Sequence, residues 1–243
     1  MNLRTLSLII LFFFCNTVLP QTSTFDEVHL FQTFFEDASL NSDPYAEGGL
    51  TFADYSAFSL FGLGMRGAVP VQTNVQIGGS LYFENLNPEG FDSHSGISDL
   101  LIVGRYKLDT QRTRVDIGGK ITLPIGGEDI GQGNTNFGAF AAIRHPASPS
   151  TVVTGTFGLE FIEIANDRKA SVLLGGAGIF QINNEFHIVA ELNIQTQIDY
   201  ILMNGGIDYV VARNGRLRTN LGVGIDDGAP DLLVGASYLL SIR

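Results

Sequence analysis

FHIVAELNIQTQI, residues Phe186 to Ile198, alternates between two kinds of side chain almost throughout. Phe186, Ile188, Ala190, Leu192, Ile194 and Ile198 share one parity, and His187, Glu191, Asn193, Gln195 and Gln197 share the other. Successive side chains of a β-strand point to opposite faces, so the stretch reads as a strand with one apolar and one polar side. In a soluble sandwich the apolar side faces inward. In an outer-membrane barrel it faces lipid, and the polar side lines a lumen. One strand alone does not choose between them.

The neighbouring sequence repeats the pattern. Val115, Ile117, Ile121, Leu123 and Ile125 alternate with Arg114, Asp116, Lys120 and Thr122, and Leu217, Thr219, Leu221, Val223 and Ile225 alternate with Arg216, Arg218, Asn220 and two glycines. Leu100, Ile102, Tyr106 and Leu108 oppose Asp99, Arg105 and Lys107, while Leu101 and Val103 soften that polar face. From Tyr45 onward, turn signals at nearly regular spacing delimit strands near 46–54, 57–69, 74–86, 98–109, 113–125, 135–145, 151–163, 170–182, 185–198, 200–212, 216–226 and 231–242. That makes about twelve, an even number, as in bacterial single-chain barrels. The expected fold is therefore all-β: one antiparallel up-and-down transmembrane barrel over 45–243.

The connections sort as such a barrel requires. With the C-terminus in the periplasm, the short connections 70–73, 109–113, 145–150, 183–184 and 213–215 share one side, and the long ones, 85–97 and 126–134, share the other. Charges sort too. Arg66, Lys107, Arg114, Arg144, Arg216 and Arg218 fall toward the periplasmic mouth, and Glu84, Asp99, Glu128, Asp129, Glu160, Asp226, Asp227 and Asp231 fall toward the outside. Two readings remain open: charges simply collecting at wet mouths, or a lumen with an acidic entrance and a basic exit.

Ahead of the barrel, residues 1–20 read as a secretory signal, with Arg4 before the short apolar run Leu6 to Phe14 and cleavage near Pro20. Within 21–44, Val28, Phe31, Phe35 and Ala38 recur at helical spacing, and Thr24 with Glu27 fits a capping box, so a short amphipathic helix is expected over 24–38. It would serve as a plug entering the barrel or lying at the membrane interface; the alternative is one more strand. Cys15 is the only cysteine and falls within the signal, which leaves the mature chain without disulfides or zinc thiolates. A net charge of −11 argues against nucleic acid as a partner. After the signal no apolar run is long enough to span a bilayer as a helix.

The succession SDLLIVGRYKL (98–108), IGGKITLPIGG (117–127), GNTNFGAFAAIRH (133–145) and LGVGIDDGAPDLLVGASYLL (221–240) resembles an outer-membrane family named for the meta-pathway of phenol degradation. These are patterns of glycine, turn and strand without catalytic signatures. The resemblance implies a transporter-like barrel in the bacterial outer membrane for small apolar or aromatic compounds.

No enzymatic site stands out. GLGMRG, Gly62 to Gly67, matches a dinucleotide fingerprint but lies inside a strand pattern and opens no helix. His29, His94, His145 and His187 have no evident serine and acid partners, and the acidic turn Asp226, Asp227 and Asp231 lacks a full calcium-loop pattern. The expected lumen-lining residues are Lys120, Glu160, His187, Glu191, Asn193, Asp208, Arg218 and Asn220, acting by charge and hydrogen bonding with no cofactor, no metal and no covalent chemistry. They would either contact solute or simply fill a narrow barrel with ion pairs. The expected partners are membrane lipid and an unnamed small solute, with the chain a monomer. The rival readings are a structural or surface-interaction barrel with a blocked lumen, and a secreted soluble ligand-binding β-barrel.

Overall fold

The structure is a computed structural model and describes residues 27–39, 41–109, 113–127, 130–131, 133–164 and 167–242. The signal segment, Glu128 and Asp129 lie outside them. Alternating β-branched, aromatic and polar residues favour extended chain, and the described residues form thirteen strands. These are β1 (Tyr45–Asp54), β2 (Phe58–Gln72), β3 (Val75–Pro88), β4 (His94–Ile97), β5 (Leu100–Asp109), β6 (Arg114–Leu123), β7 (Asn136–Ser148), β8 (Thr151–Ile164), β9 (Asp167–Gln181), β10 (Phe186–Gln195), β11 (Tyr200–Ala212), β12 (Gly215–Gly224) and β13 (Leu232–Ser241). Both β4 and β5 pair with β3, so they share one position and the wall is a closed 12-strand antiparallel barrel. Closure comes from β1 against β13, with Tyr45 opposite Ser241 and Asp54 opposite Leu232.

The faces follow the alternation. Ile188 and Leu192 of β10 are exposed, as are Ile117 and Ile121 of β6 and Leu217 and Leu221 of β12, while His187, Val189, Glu191 and Asn193 are buried. The outer surface is a continuous band of such side chains. In a closed sheet this band has no protein to cover it and suits lipid. The turns after β2, β5, β7, β9 and β11 gather at one end, the turn end, and the long connection between β6 and β7 lies at the other, the loop end. Strand β10 stops at Gln195, short of the expected Ile198. Thr196–Ile198 form a 3-10 turn, and Asp199 takes the left-handed conformation that redirects the chain into β11.

Residues 28–39 do not form the expected helix. They run through bends and turns, and they lie inside the barrel. Val28, Leu30, Phe31, Phe34 and Phe35 are all buried, so apolar groups point to several sides of the segment. A helix exists to pair its own backbone groups. Here the wall pairs them instead, which removes the reason for the helix while leaving its apolar spacing intact. No helix among the described residues is long and apolar enough to cross a membrane.

Candidate functional site

The barrel interior is divided by the segment 27–39, which fills the half nearer the turn end. Its backbone is held by inward side chains of the wall. Arg66 donates to Phe31 O (2.8 Å), Arg105 to Phe35 O (3.0 Å) and Ser39 O (3.2 Å), Arg144 to Val28 O (2.9 Å), and Arg218 to the carbonyls of His29 and Leu30. Glu191 accepts from Phe31 N and from Gln32 N (3.0 Å), and the hydroxyl of Thr156 donates to Glu36 O. Charge-assisted hydrogen bonds of this kind are about twice as strong as neutral ones.

Ion pairs continue the attachment. Asp37 lies 3.4 Å from Arg105 and 3.9 Å from Arg144, Glu27 lies 3.6 Å from Arg216, and Glu36 lies 2.6 Å from Lys120, which also meets Glu160. Behind them the wall pairs its own charges. Arg218 reaches Glu47 (2.7 Å) and Asp208 (3.0 Å), Arg216 reaches Asp208 (2.6 Å), and Arg66 reaches Glu47 (3.1 Å).

The apolar contacts explain why the segment stays. Phe34 and Phe35 pack with Tyr45, Ala68, Val103, Phe140 and Leu239, while Val28, Leu30 and Phe31 pack with Val152, Ile179 and Val189. Both apolar clusters are therefore made between segment and wall. Each buried phenylalanine contributes about 1.5–3 kcal/mol. The guanidinium of Arg66 sits 3.8 Å over the Phe34 ring and that of Arg218 4.4 Å over Phe31. Room for the rings comes from glycine. A Cβ at Gly78 would lie 2.6 Å from the Phe35 ring, and one at Gly206 would collide with Phe31.

Two groups of the segment titrate abnormally. Burial holds the His29 imidazole below its usual value of 6.5, with Asp37 opposing the shift and Arg105 and Arg218 adding to it. For Asp37, burial alone would raise the carboxyl. The hydrogen bond and charge of His29, with Arg105 and Arg144, outweigh that and hold it well below the usual range.

The loop-end half is built differently. An open cavity of about 340 Å³ is lined by Leu101, Lys120, Thr122, Glu160, Ile162 and Gln195, and a second of about 220 Å³ by Gln32, Phe35, Glu36, Tyr82, Leu101 and Lys120. Lys120 belongs to both and stands where the open space meets the segment.

The eight residues singled out from the sequence divide between these halves. Lys120, Glu160 and Asn220 border open space, Asn220 donating to Asn204 (3.0 Å). Glu191, Asp208 and Arg218 are buried in the network that holds the segment, Asn193 lies 3.5 Å from Glu191, and His187 lies 3.3 Å from Arg216. Sequence reasoning passed over Asp37, Glu47, Arg105, Arg144 and Arg216 as site residues. A signal was available: Val103 and Val189 break the polar parity of their strands, and both are where the segment packs. Of the six cations that the sequence places toward the periplasmic mouth, Arg66, Arg144, Arg216 and Arg218 meet carboxylates or segment carbonyls.

Among the described residues no cluster of His, Cys, Asp or Glu is placed to hold a metal ion. No protein-family model matches the chain, and no curated protein matches it in sequence. Solved structures do match. An outer-membrane channel from Pseudomonas putida F1 superposes with a TM-score of 0.68 at 12% identity, covering 84% of this chain and 97% of that one. The KdgM porin in complex with disordered oligogalacturonate gives 0.61 at 11% identity, covering 82% and 99%. The chain has the fold of an outer-membrane barrel channel. The Ralstonia pickettii toluene transporter TbuX gives 0.51 at 10% identity, covering 85% and 91%. The family label drawn from the sequence resemblance finds no support in a matching family model; the barrel-channel fold it implied does have solved counterparts.

Proposed function

We propose that this protein is a passive outer-membrane channel for a small solute, closed in the conformation seen here by residues 27–39. The loop end faces outside and the turn end the periplasm. The observation that carries the reading is the division of the lumen: a cavity open at the loop end stops at a segment held only by non-covalent contacts. Solved channels of this fold include one seen with oligogalacturonate and one named for toluene, so the fold alone does not choose a solute and the lining must. Leu101, Ile162 and Tyr82 beside Thr122, Gln195 and Asn220 suit a compound with an apolar or aromatic body and a polar end. The wall closes its own strand edges, which supports a monomer.

The buried ion pairs favour a second reading, a structural barrel whose lumen is permanently filled. Planar-bilayer conductance separates the two. The test compares the wild type with a full-length variant whose segment is loosened by Phe31→Ser, Phe34→Ser, Phe35→Ser and Asp37→Asn. A quiet wild type and a conducting variant support the channel; silence from both, with the compact barrel still seen on a gel, supports the structural barrel.

A further inference from the structure

Residues 27–39 do more than stop the lumen, because their loop-facing side is the floor of a cavity that the wall alone does not make. Gln32, Phe34, Phe35 and Glu36 of the segment line one side of the space of about 220 Å³, and Ser80 and Tyr82 of β3 and Leu101 of β5 line another. Phe34 and Phe35 meet edge to face, 5.0 Å between ring centroids, and Leu101 packs against their cluster, so the floor is apolar. An apolar cavity of about 150 Å³ is enough to take benzene. The space can be reached from the loop end, since it shares Leu101 and Lys120 with the larger cavity. Its three charged side chains are engaged: Arg66 with Glu47 and the Phe31 carbonyl, and Lys120 with both Glu36 and Glu160. The hydroxyls of Ser80 and Tyr82, by contrast, meet no hydrogen-bond partner among the described residues.

Ring-sized apolar surface beside two idle hydroxyls suits a compound with an aromatic ring and a neutral hydroxyl, whereas an ion would have to displace a partner from Arg66, Lys120 or Glu36. We infer that this cavity binds a small neutral aromatic alcohol and that the occupant keeps the segment docked. The sign follows from which parts build the site. A ligand that touches segment and wall together loses the surface of Phe34 and Phe35 when the segment leaves, so it binds the docked state more tightly and shifts the population toward it. The inference goes beyond the channel reading and holds equally for a permanently filled barrel. In a channel the occupant becomes a closing ligand, so passage falls as the compound accumulates.

The test uses the full-length protein in detergent. Calorimetry gives the dissociation constant for benzyl alcohol, and cleavage at Glu36 by a glutamate-specific protease reports undocking. At ten times that constant, cleavage should slow about tenfold. Propanol, which lacks the ring, and benzoate, which carries charge, should protect clearly less at the same concentration. Ser80→Leu, which fills the cavity from the wall and removes one hydroxyl, should abolish both binding and protection, each variant being compared with itself without additive. The variant with Phe31→Ser, Phe34→Ser, Phe35→Ser and Asp37→Asn, whose floor is gone, should not bind. No binding to the wild type overturns the inference, as does binding that leaves cleavage unchanged or faster, binding that survives in either variant, or equal protection by propanol or benzoate. None of these outcomes depends on conductance, so failure here is distinct from failure of the channel reading. Should Ser80→Leu not give the compact barrel, Leu101→Phe fills the same cavity from β5 and is read by the same outcomes.

Discussion

The two halves of this lumen share strands but not a design. At the turn end, inward positions carry arginines and acids in a buried network around residues 27–39; at the loop end, the same wall carries Lys120 and Glu160 with amides, hydroxyls and a few aliphatics around open space. On β12 the change takes two residues, from Arg218, which is fully buried, to Asn220, which borders a cavity. Desolvation accounts for the difference in consequence. A charge buried with its partners holds its place because losing one partner strands another, whereas a polar group beside water has a substitute at hand.

The largest effect should come from breaking the packed half. Arg218→Met takes one of two cationic partners from each of Glu47 and Asp208, leaving them Arg66 and Arg216, and removes the donor to the His29 and Leu30 carbonyls; it should cost about 3–5 kcal/mol, seen as a lower urea midpoint for refolded protein in detergent or vesicles. If the change is neutral, the network is not what orders that half. The wall's outer face gives the next effect. Leu192→Arg should cost about 2–4 kcal/mol near the bilayer midplane and weaken the heat-modifiable compact band; equal stability would mean that Leu192 does not face lipid. At the boundary, Glu191→Gln weakens the hold on Phe31 N and Gln32 N by about 1–3 kcal/mol. Protease cleavage within 27–39 should then rise while the wall stays intact. Smallest is Asn220→Met, at about 0.5–1.5 kcal/mol, and a cost as large as that of Arg218→Met would erase the contrast between the halves.

Acid should act on the packed half through His29 and Asp37. His29 is held below its usual value of 6.5 in the docked segment, so docking favours the neutral ring and weakens as pH falls through that value. Asp37 is held below its usual 3.8, so its contribution is present above that pH and fades as the carboxyl protonates beneath it. Both signs agree: segment accessibility to protease should rise in two phases on acidification, and His29→Gln should remove the upper one. A segment that loosens toward alkaline pH would contradict this assignment.

Much of the wall was legible because a period of two is a local property. Phe186 to Gln195 shows it without help from any distant residue, and the count of strands followed from the turns between them. The segment was legible only in part. Its apolar spacing was real, but spacing cannot say that Arg66, Arg105, Arg144 and Arg218, each far away in sequence, would take the carbonyls that a helix needs for itself. Nor could the parity of β5 and β10 explain its own exceptions: Val103 and Val189 look like noise until Phe34, Phe35 and Phe31 lie against the strands that carry them. Glu160 and Lys120 were found because alternation points them inward. Asp37 was missed because nothing alternates around it.

The join of β1 to β13 sets an order of events. The pocket that receives Phe34 and Phe35 is walled by Tyr45 and Leu239, from the two strands that meet at the seam, with Ala68, Val103 and Phe140, while Phe31 packs on β8, β9 and β10. The part that receives Phe34 and Phe35 is incomplete until the last strand has found the first. Residues that precede the whole barrel in the chain must therefore wait for its completion to seat fully, holding the rings of Phe34 and Phe35 in water during assembly, where an escort protein or premature adhesion would find them. Seating the segment is thus the final step of maturation and a natural checkpoint, since only a correctly closed ring of strands can accept it.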